Sequence, residues 1–459
     1  MILFVGQIER KNKGRDAFQE MDYAAVFGSF TKWAAEIGDG ARMAEYVSRA
    51  FATAMAGRPG PVVLALPRDV LTESVTKPDA PFAAALETAP SGDDIAAFKS
   101  LLSKAERPIV VIGGSRWDEA ACTAVAHFAE RFNLPVATSY RRAPLFDALH
   151  PNYAGDLGLA PNPKLVARVK ASDLVIVIGA RLNEITTQGY TLFDIPTPQM
   201  KLVHVYPGAE ELGRVHHAHL AIHASPKRFA AALEQFPPRM TPWADTVEAA
   251  HNEYLAWSAT PTPQPGDVNL SQIMIWLRDH CSPDTILCNG AGNYAGWIHR
   301  FYRFRKFATH IAPTSASMGY GIPAAVAMKQ LHPERRVISI NGDGDFLMNG
   351  QEFATAVQYK LPIIAMVFDN ASYGTIRMHQ ERDYPGRVSA TDLVNPDFAA
   401  YARAFGGFGA TVEKTEQFAD AFHAAEASGL PSIIHVKFDA DGISPTTTLT
   451  KIREAALRS

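Results

Sequence analysis

The sequence predicts an α/β protein built on parallel sheets, and three observations carry that prediction. Short β-branched runs end in turn residues, longer segments with apolar spacing near 3.6 separate them, and the two alternate along most of the chain. In order the runs are VVLALP (62–67), PIVVIGG (108–114), LVIVIGA (174–180), KLVHVY (201–206), RVISINGDG (336–344) and IIAMVFDN (363–370). They read as buried parallel strands. An apolar ILFVG directly after Met1 reads as one strand more. DEAACTAVAHFAERF (118–132) and MNGQEFATAVQYK (348–360) read as crossover helices. In such a fold, ligands sit at the carboxyl ends of the strands.

A chain of 459 residues implies two or three domains rather than one. KPDAPFAAALETAPSGDD (77–94) and SATPTPQPGD (258–267) are rich in Pro, Ser, Thr and small residues, as connectors are. They divide the chain into three segments, 1–80, 92–240 and 268–459. The first is short for an independent α/β domain and reads as the back half of one.

Hydrophobic residues at 47% and charged residues at 20% exclude a disordered chain. A net charge of −3 gives no global attraction to nucleic acid or to an anionic membrane, so any phosphate site must be local. Cys122, Cys281 and Cys288 have no CxxC spacing, which argues against a disulfide framework or zinc cage and fits a reducing cytoplasm. No stretch approaches 18 uninterrupted apolar residues and no cleavage-site pattern opens the chain, so secretion and membrane spanning are not expected.

The chemistry concentrates at Gly342, Asp343, Gly344 and Asn370. Asp343 follows one strand and Asn370 the next, with 25 residues between Gly344 and Asn370. A right-handed βαβ unit puts both side chains at neighbouring carboxyl ends. A carboxylate and an amide oxygen converging there suit a hard cation such as Mg2+, which completes its octahedron with phosphate oxygens and water. The flanking glycines leave room for a bulky anion at the backbone. A GDG turn by itself is also an ordinary strand end.

GDGDFLMNGQEFATAVQYKLPIIAMVFDN closely resembles the thiamine diphosphate motif of the acetolactate synthase and pyruvate oxidase group. SASMGYGIPAAVAM (315–328) resembles the segment preceding that motif. GQIERKNKGRDAFQEMD (6–22) and AGRPGPVVLALPRDV (56–70) resemble the latter half of the family's pyrimidine-binding domain. The resemblance implies a three-segment architecture of doubly wound sheets with an incomplete first domain. It implies Asp343, Asn370 and the backbone carbonyl of Ser372 as Mg2+ ligands. The family's usual Asn-Asn pair is Asp369-Asn370 here, and only the second position is expected to bind metal. The implied cofactor contacts are Gly292, Asn293, Tyr294, Met318, Gly342, Gly344, Ser372, Tyr373 and Gly374. Met318 stands where the family has the bulky apolar residue that holds thiamine diphosphate bent, although a methionine before a helix is also plain core. NGAGNYAGW (289–297) is either the loop against the diphosphate or an ordinary strand–helix turn.

The implied reaction is decarboxylation of a 2-oxo acid with carboligation of the remaining unit. Glyoxylate, benzoylformate and sulfoacetaldehyde chemistries are the neighbouring alternatives, and an inactive cofactor binder is another. The family's catalytic glutamate, which bonds N1′ of the aminopyrimidine, would lie some tens of residues before Gly6, so no catalytic residue is assigned and the first segment is expected to expose sheet edges. Glu9 and Glu20 are not substitutes, Glu20 reading as turn structure. Gln7 and Phe18 stand in segments near the pocket in relatives, with core or turn roles equally open. FAD in the middle segment, as catalyst or remnant, is also implied as an option; GGSRW and GARLNE resemble nucleotide-site turns but lack GxGxxG. A homodimer or homotetramer is implied because family sites form between chains. His216, His217, His219 and His223 look like a metal cluster and would partly share a strand face, but no carboxylate or cysteine joins them, so surface or subunit-contact roles are expected. RMHQERDYPGR (377–387) reads as either a solvated mixed-charge face or a gating segment.

Overall fold

The computed structural model describes residues 1–237, 241 and 243–458. Residues 240 and 459, the expected ends of the second and third segments, lie outside the described residues. Three sheets carry the fold, and every ladder between their strands is parallel.

The first sheet holds β1 (Ile2–Gln7), β2 (Trp33–Glu36) and β3 (Val62–Pro67) in the order β1-β3-β2. β3 lies between its neighbours and is buried nearly throughout, whereas β1 and β2 are edges, and Phe4, Phe18 and Phe30 are exposed.

The second sheet holds β4 (Pro108–Ile112), β5 (Val136–Ser139), β6 (Tyr153–Leu157), β7 (Leu174–Ile178), β8 (Lys201–Tyr206) and β9 (Leu220–His223). Its order is β6-β5-β4-β7-β8-β9. The strand direction of growth reverses between β4 and β7, the topological switch point. Every residue of β4 is buried because helices cover both faces. Val110 and Ile112 join one core with Phe98, Phe128 and Phe229, while Ile109 and Val111 join another with Leu165 and Val169. The helix Glu119–Phe132 starts where Asp118 accepts from the Ala121 amide at 2.9 Å and stops at Asn133 in the left-handed conformation.

The third sheet holds β10 (Ile286–Asn289), β11 (His310–Ile311), β12 (Val337–Gly342), β13 (Ile364–Asp369), β14 (Phe408–Val412) and β15 (Ser432–Lys437). The order β11-β10-β12-β13-β15-β14 makes β10, β12 and β13 neighbours. Ile338, Ile340 and Met366 pack on one face, Ala365, Val367 and Ile433 on the other.

The expected helix over 348–360 is broken in two. One helix runs Asp343–Asn349, a 3-10 turn spans Gly350–Glu352, and a second helix runs Phe353–Gln358. The break falls at Asn349-Gly350, two poor helix formers, and a Cβ on Gly350 would stand 2.5 Å from the Phe346 ring. The connectors are shorter than their composition indicates. Ser91 caps the helix Gly92–Lys104 inside the first, and the helix Ala244–Ala259 enters the second. Among the described residues, no helix is long and apolar enough to cross a membrane.

Candidate cofactor and metal site

The ends of β10, β12 and β13 present their loops side by side. β12 delivers Gly342, after which Asp343 opens a short helix. Asp343 is 3% exposed. Its Oδ1 accepts from the Gly344 amide at 2.8 Å, and its Oδ2 accepts from the Ser372 amide at 3.3 Å. The second of these bonds joins the ends of β12 and β13. Burial lifts the Asp343 carboxyl to about 6, against the pull of the Gly344 amide and Asn395 and with the push of the neighbouring Asp369.

Asp369, the last residue of β13, is held the other way. Burial opposes its ionisation, yet bonds from His435, the Ala371 amide and Asn395 keep the carboxyl below its ordinary value. His435 Nε2 lies 2.7 Å from Asp369 Oδ2, and the Ala371 amide donates to Oδ1 at 2.9 Å. Asn370 is half-buried and follows immediately.

A third carboxylate organises the loops. Asp345 accepts from the Tyr294 hydroxyl at 2.7 Å, from the Gly319 amide at 2.7 Å and from the Ala291 amide at 3.3 Å. One side chain thereby joins the loop after β10, the turn before the helix Gly321–Leu331, and the start of the helix after β12. Burial raises the Asp345 carboxyl, while these bonds resist the rise. Gly319 has φ +77°, a left-handed conformation, and a Cβ there would meet Met348 at 2.7 Å.

The other expected site residues fall on the same rim. The Tyr294 side chain is buried under Gly342 with its hydroxyl given to Asp345. Asn293 accepts from Thr375 Oγ1 at 3.0 Å, linking the loop after β10 to the helix Gly374–Asp383 that Tyr373 precedes. Gly292 has φ +153° beside the Tyr294 ring. A Cβ on Gly344 would stand 2.5 Å from the Tyr373 ring, and one on Gly374 would meet Asn370 Nδ2 at 3.2 Å. Met318 is 39% exposed, so it is not core. Ser372 is buried, and its hydroxyl donates to the Thr391 carbonyl at 3.0 Å.

Sequence reasoning missed Asp345, Asn395, His435 and Arg141. Asp345 lay inside the quoted motif, as the second acid of GDGD. Arg141 has φ +57° and is 2% exposed. From the end of β5 it donates to the Gly290 carbonyl at 2.6 Å and the Pro313 carbonyl at 2.5 Å. The second sheet thus fixes two loops of the third.

Gln7 is buried, its amide bonded to the Met21 carbonyl at 2.7 Å. Phe18 is exposed. Glu20 accepts the Gly14 and Ala17 amides, a turn role, and Glu9 pairs with Lys11. Of the four clustered histidines only His223 stands in a strand, so the expected shared strand face does not form. His216 is buried edge-on to Phe193, His219 accepts the Leu202 amide and His223 bonds the Pro207 carbonyl. In the 377–387 segment, Glu381 is fully buried and paired with Arg453, so that helix is not simply a solvated face.

Among the described residues no group of three or more His, Cys, Asp or Glu side chains is placed to hold a metal ion. The rim offers another donor set: the Asp343 carboxylate, the Asn370 amide and the Ser372 carbonyl, all oxygen and incomplete without phosphate oxygens and water, as Mg2+ prefers. The fit is supported by Asn395 Oδ1, a buried acceptor with no partner beside Asp343. An ionised Asp343 buried without a cation is disfavoured, which a divalent cation reverses.

Comparison with known proteins settles the family. Residues 290–436 match the thiamine pyrophosphate enzyme C-terminal TPP binding domain, and residues 95–233 match the central domain of the same enzymes. The chain belongs to the thiamine pyrophosphate enzyme family. It is 29% identical to the acetolactate synthase large subunit of Parasynechococcus marenigrum over 95% of this chain and 72% of that one. It is 27% identical to the acetolactate synthase isozyme 2 large subunit of Escherichia coli over 96% of this chain and 79% of that one. To the acetolactate synthase large subunit of Corynebacterium glutamicum it is 29% identical, over 95% and 71% respectively.

Proposed function

We propose that this chain is a Mg2+- and thiamine diphosphate-dependent enzyme that decarboxylates a 2-oxo acid and ligates the remaining unit to an acceptor, as acetolactate synthases do. The observation that carries the reading is the joining of the β12 and β13 ends through Asp343 and the Ser372 amide, 3.3 Å apart. When bound, thiamine diphosphate supplies the carbon nucleophile and the electron sink. The chain's residues then bind and orient. Asp343, Asn370 and the Ser372 carbonyl would ligate Mg2+. Gly342, Gly344, Tyr373 and Gly374 form the backbone side of the diphosphate pocket. Gly292, Asn293 and Tyr294 close it from β10, Tyr294 through Asp345 rather than by a free hydroxyl. Met318, an exposed apolar side chain, would support the cofactor.

Segments 1–80, 92–240 and 268–459 are taken as the domain units. A homodimer or homotetramer is proposed from the family resemblance and the cytoplasm from the absence of a cysteine framework among Cys122, Cys281 and Cys288, and pyruvate is the first substrate to try because the relatives are named acetolactate synthases. The experiment has two readouts on the full chain: Mg2+-dependent binding of thiamine diphosphate, and consumption of pyruvate with acetolactate formed. Asp343→Ala should remove both. Binding that survives Asp343→Ala overturns the site assignment. Binding without turnover of any 2-oxo acid replaces the enzyme by a cofactor-binding protein.

A further inference from the structure

Asn395 belongs to none of the strands that carry the rim. It follows the helix Gly374–Asp383 and precedes the helix Phe398–Ala404. Its side-chain Nδ2 donates to Asp343 Oδ2 at 2.8 Å and to Asp369 Oδ1 at 2.7 Å. Two carboxylates cannot both approach an amide oxygen, so the nitrogen must face them and the orientation of the amide follows from chemistry alone. Its Oδ1 is buried and has no hydrogen-bond partner among the described residues.

The contact is selective. One Nδ2 supplies two hydrogens, and each goes to a different carboxylate at the ends of two adjacent strands. Asp369 is bonded on its other oxygen by His435 at 2.7 Å. A chain of bonds therefore runs from His435 through Asp369 and Asn395 to Asp343. Among the described residues, Asn395 Oδ1 and His435 Nδ1 are the atoms of that chain left buried without a hydrogen-bond partner, and of the two only Oδ1 belongs to a side chain bonded directly to Asp343. Donors of the kind that would satisfy it are waters held on a hard dication, which keeps several of them.

We propose that Asn395 is a positioning residue for the cation: Nδ2 holds the Asp343 carboxylate in its ligating orientation and separates it from Asp369, and Oδ1 accepts from a cation-bound water. This rests on the reading of Asp343 and Asn370 as cation ligands. Partners that orient a metal-ligating side chain commonly affect metal affinity by about 10–100-fold when removed.

The test is titration of Mn2+ into the full chain with thiamine diphosphate present, free Mn2+ being read by electron paramagnetic resonance. Asn395→Leu keeps the branched shape and removes both hydrogen-bonding groups. Asn395→Ser serves if that variant does not fold, as judged by circular dichroism. The expected result is about 10–100-fold weaker Mn2+ binding by the folded variant, with Asp343→Ala abolishing binding. A merely structural Asn395 would lower the melting temperature of the cation-free protein and leave Mn2+ affinity within about twofold of the parent. That outcome, with Asp343→Ala still inactive in binding, overturns the role of Asn395 alone. Undiminished binding by Asp343→Ala, or no Mn2+ binding by the parent, overturns the ligand assignment and this inference with it.

Discussion

The second and third sheets share an architecture but use their carboxyl ends differently. Each has six parallel strands with apolar residues on both faces. In the second sheet the turns at the switch point close on one another. A Cβ on Gly114 would stand 1.8 Å from the Gly179 carbonyl oxygen, and the Trp117 indole donates to the Gly113 carbonyl at 2.7 Å. Arg116 then leaves the turn to bond Glu87 and the Leu86 carbonyl. In the third sheet the loops are held apart and joined by Asp343, Asp345 and Asp369. The second sheet has one comparable acid, Asp156 at the end of β6, whose carboxyl burial lifts to about 8. With donors only from Thr138 and the Gly158 amide, burial wins and that acid keeps its proton. Of the three acids of the third rim, Asp369 is held below its ordinary value by its donors, while burial raises Asp343 and Asp345 against theirs, so a cation beside Asp343 would favour its charged form. Architecture places the crevice, and the buried donors decide what it binds.

Four measurements break or sharpen that contrast. The largest effect is expected from Asp343→Ala, which removes cofactor-dependent turnover while leaving the far-ultraviolet circular dichroism of the protein unchanged; retained turnover would show that the third rim is no different in kind from the second. Next is Phe128→Ala in the second-sheet core, expected to cost about 3–5 kcal/mol in urea unfolding of the unit that holds it, with Mn2+ affinity of the folded protein unchanged. A parallel loss of affinity would mean that the two sheets are not separable in function. Tyr294→Phe removes one donor from buried Asp345 and should cost about 1–3 kcal/mol, read as a lower denaturation midpoint.

The last measurement concerns pH. The folded Asp156 carboxyl sits at about 8 against an ordinary 3.8. The folded state therefore holds more protons than the unfolded one between these values, and the contribution is full below the lower value and lost as pH rises through the upper. Asp156→Asn should flatten the decline in stability between about pH 4 and pH 8. An unchanged slope in denaturation midpoints would show that Asp156 is not the group responsible.

Much of this was legible in the sequence. The six β-branched runs all became strands, because burial on both faces leaves a continuous apolar signature. Several strands escaped, among them β2, β5, β6 and β14, since WAAE, VATS, YAGDL and FGATV are short and carry polar residues or glycine, and β15, although SIIHVK carries the apolar signature. Asp343 and Asn370 could be singled out because each follows a strand end, and Ser372 was added to them by the family resemblance alone. Asn395 and His435 could not, because their partners lie 26 to 66 residues away in sequence. Arg141 reaches 149 residues to Gly290, and no local pattern records a bond of that length.

Arg141 also bears on how the molecule could be cut. Its guanidinium supplies donors to the carbonyls of Gly290 and Pro313, and Arg305 forms a paired contact back to Asp147 at 2.7 Å. A gene encoding only residues 268–459 would leave both carbonyls to find new partners and would free the very loops that carry the rim. The third sheet is accordingly not a portable cassette, and a chimera that moves it must carry the β5 turn along.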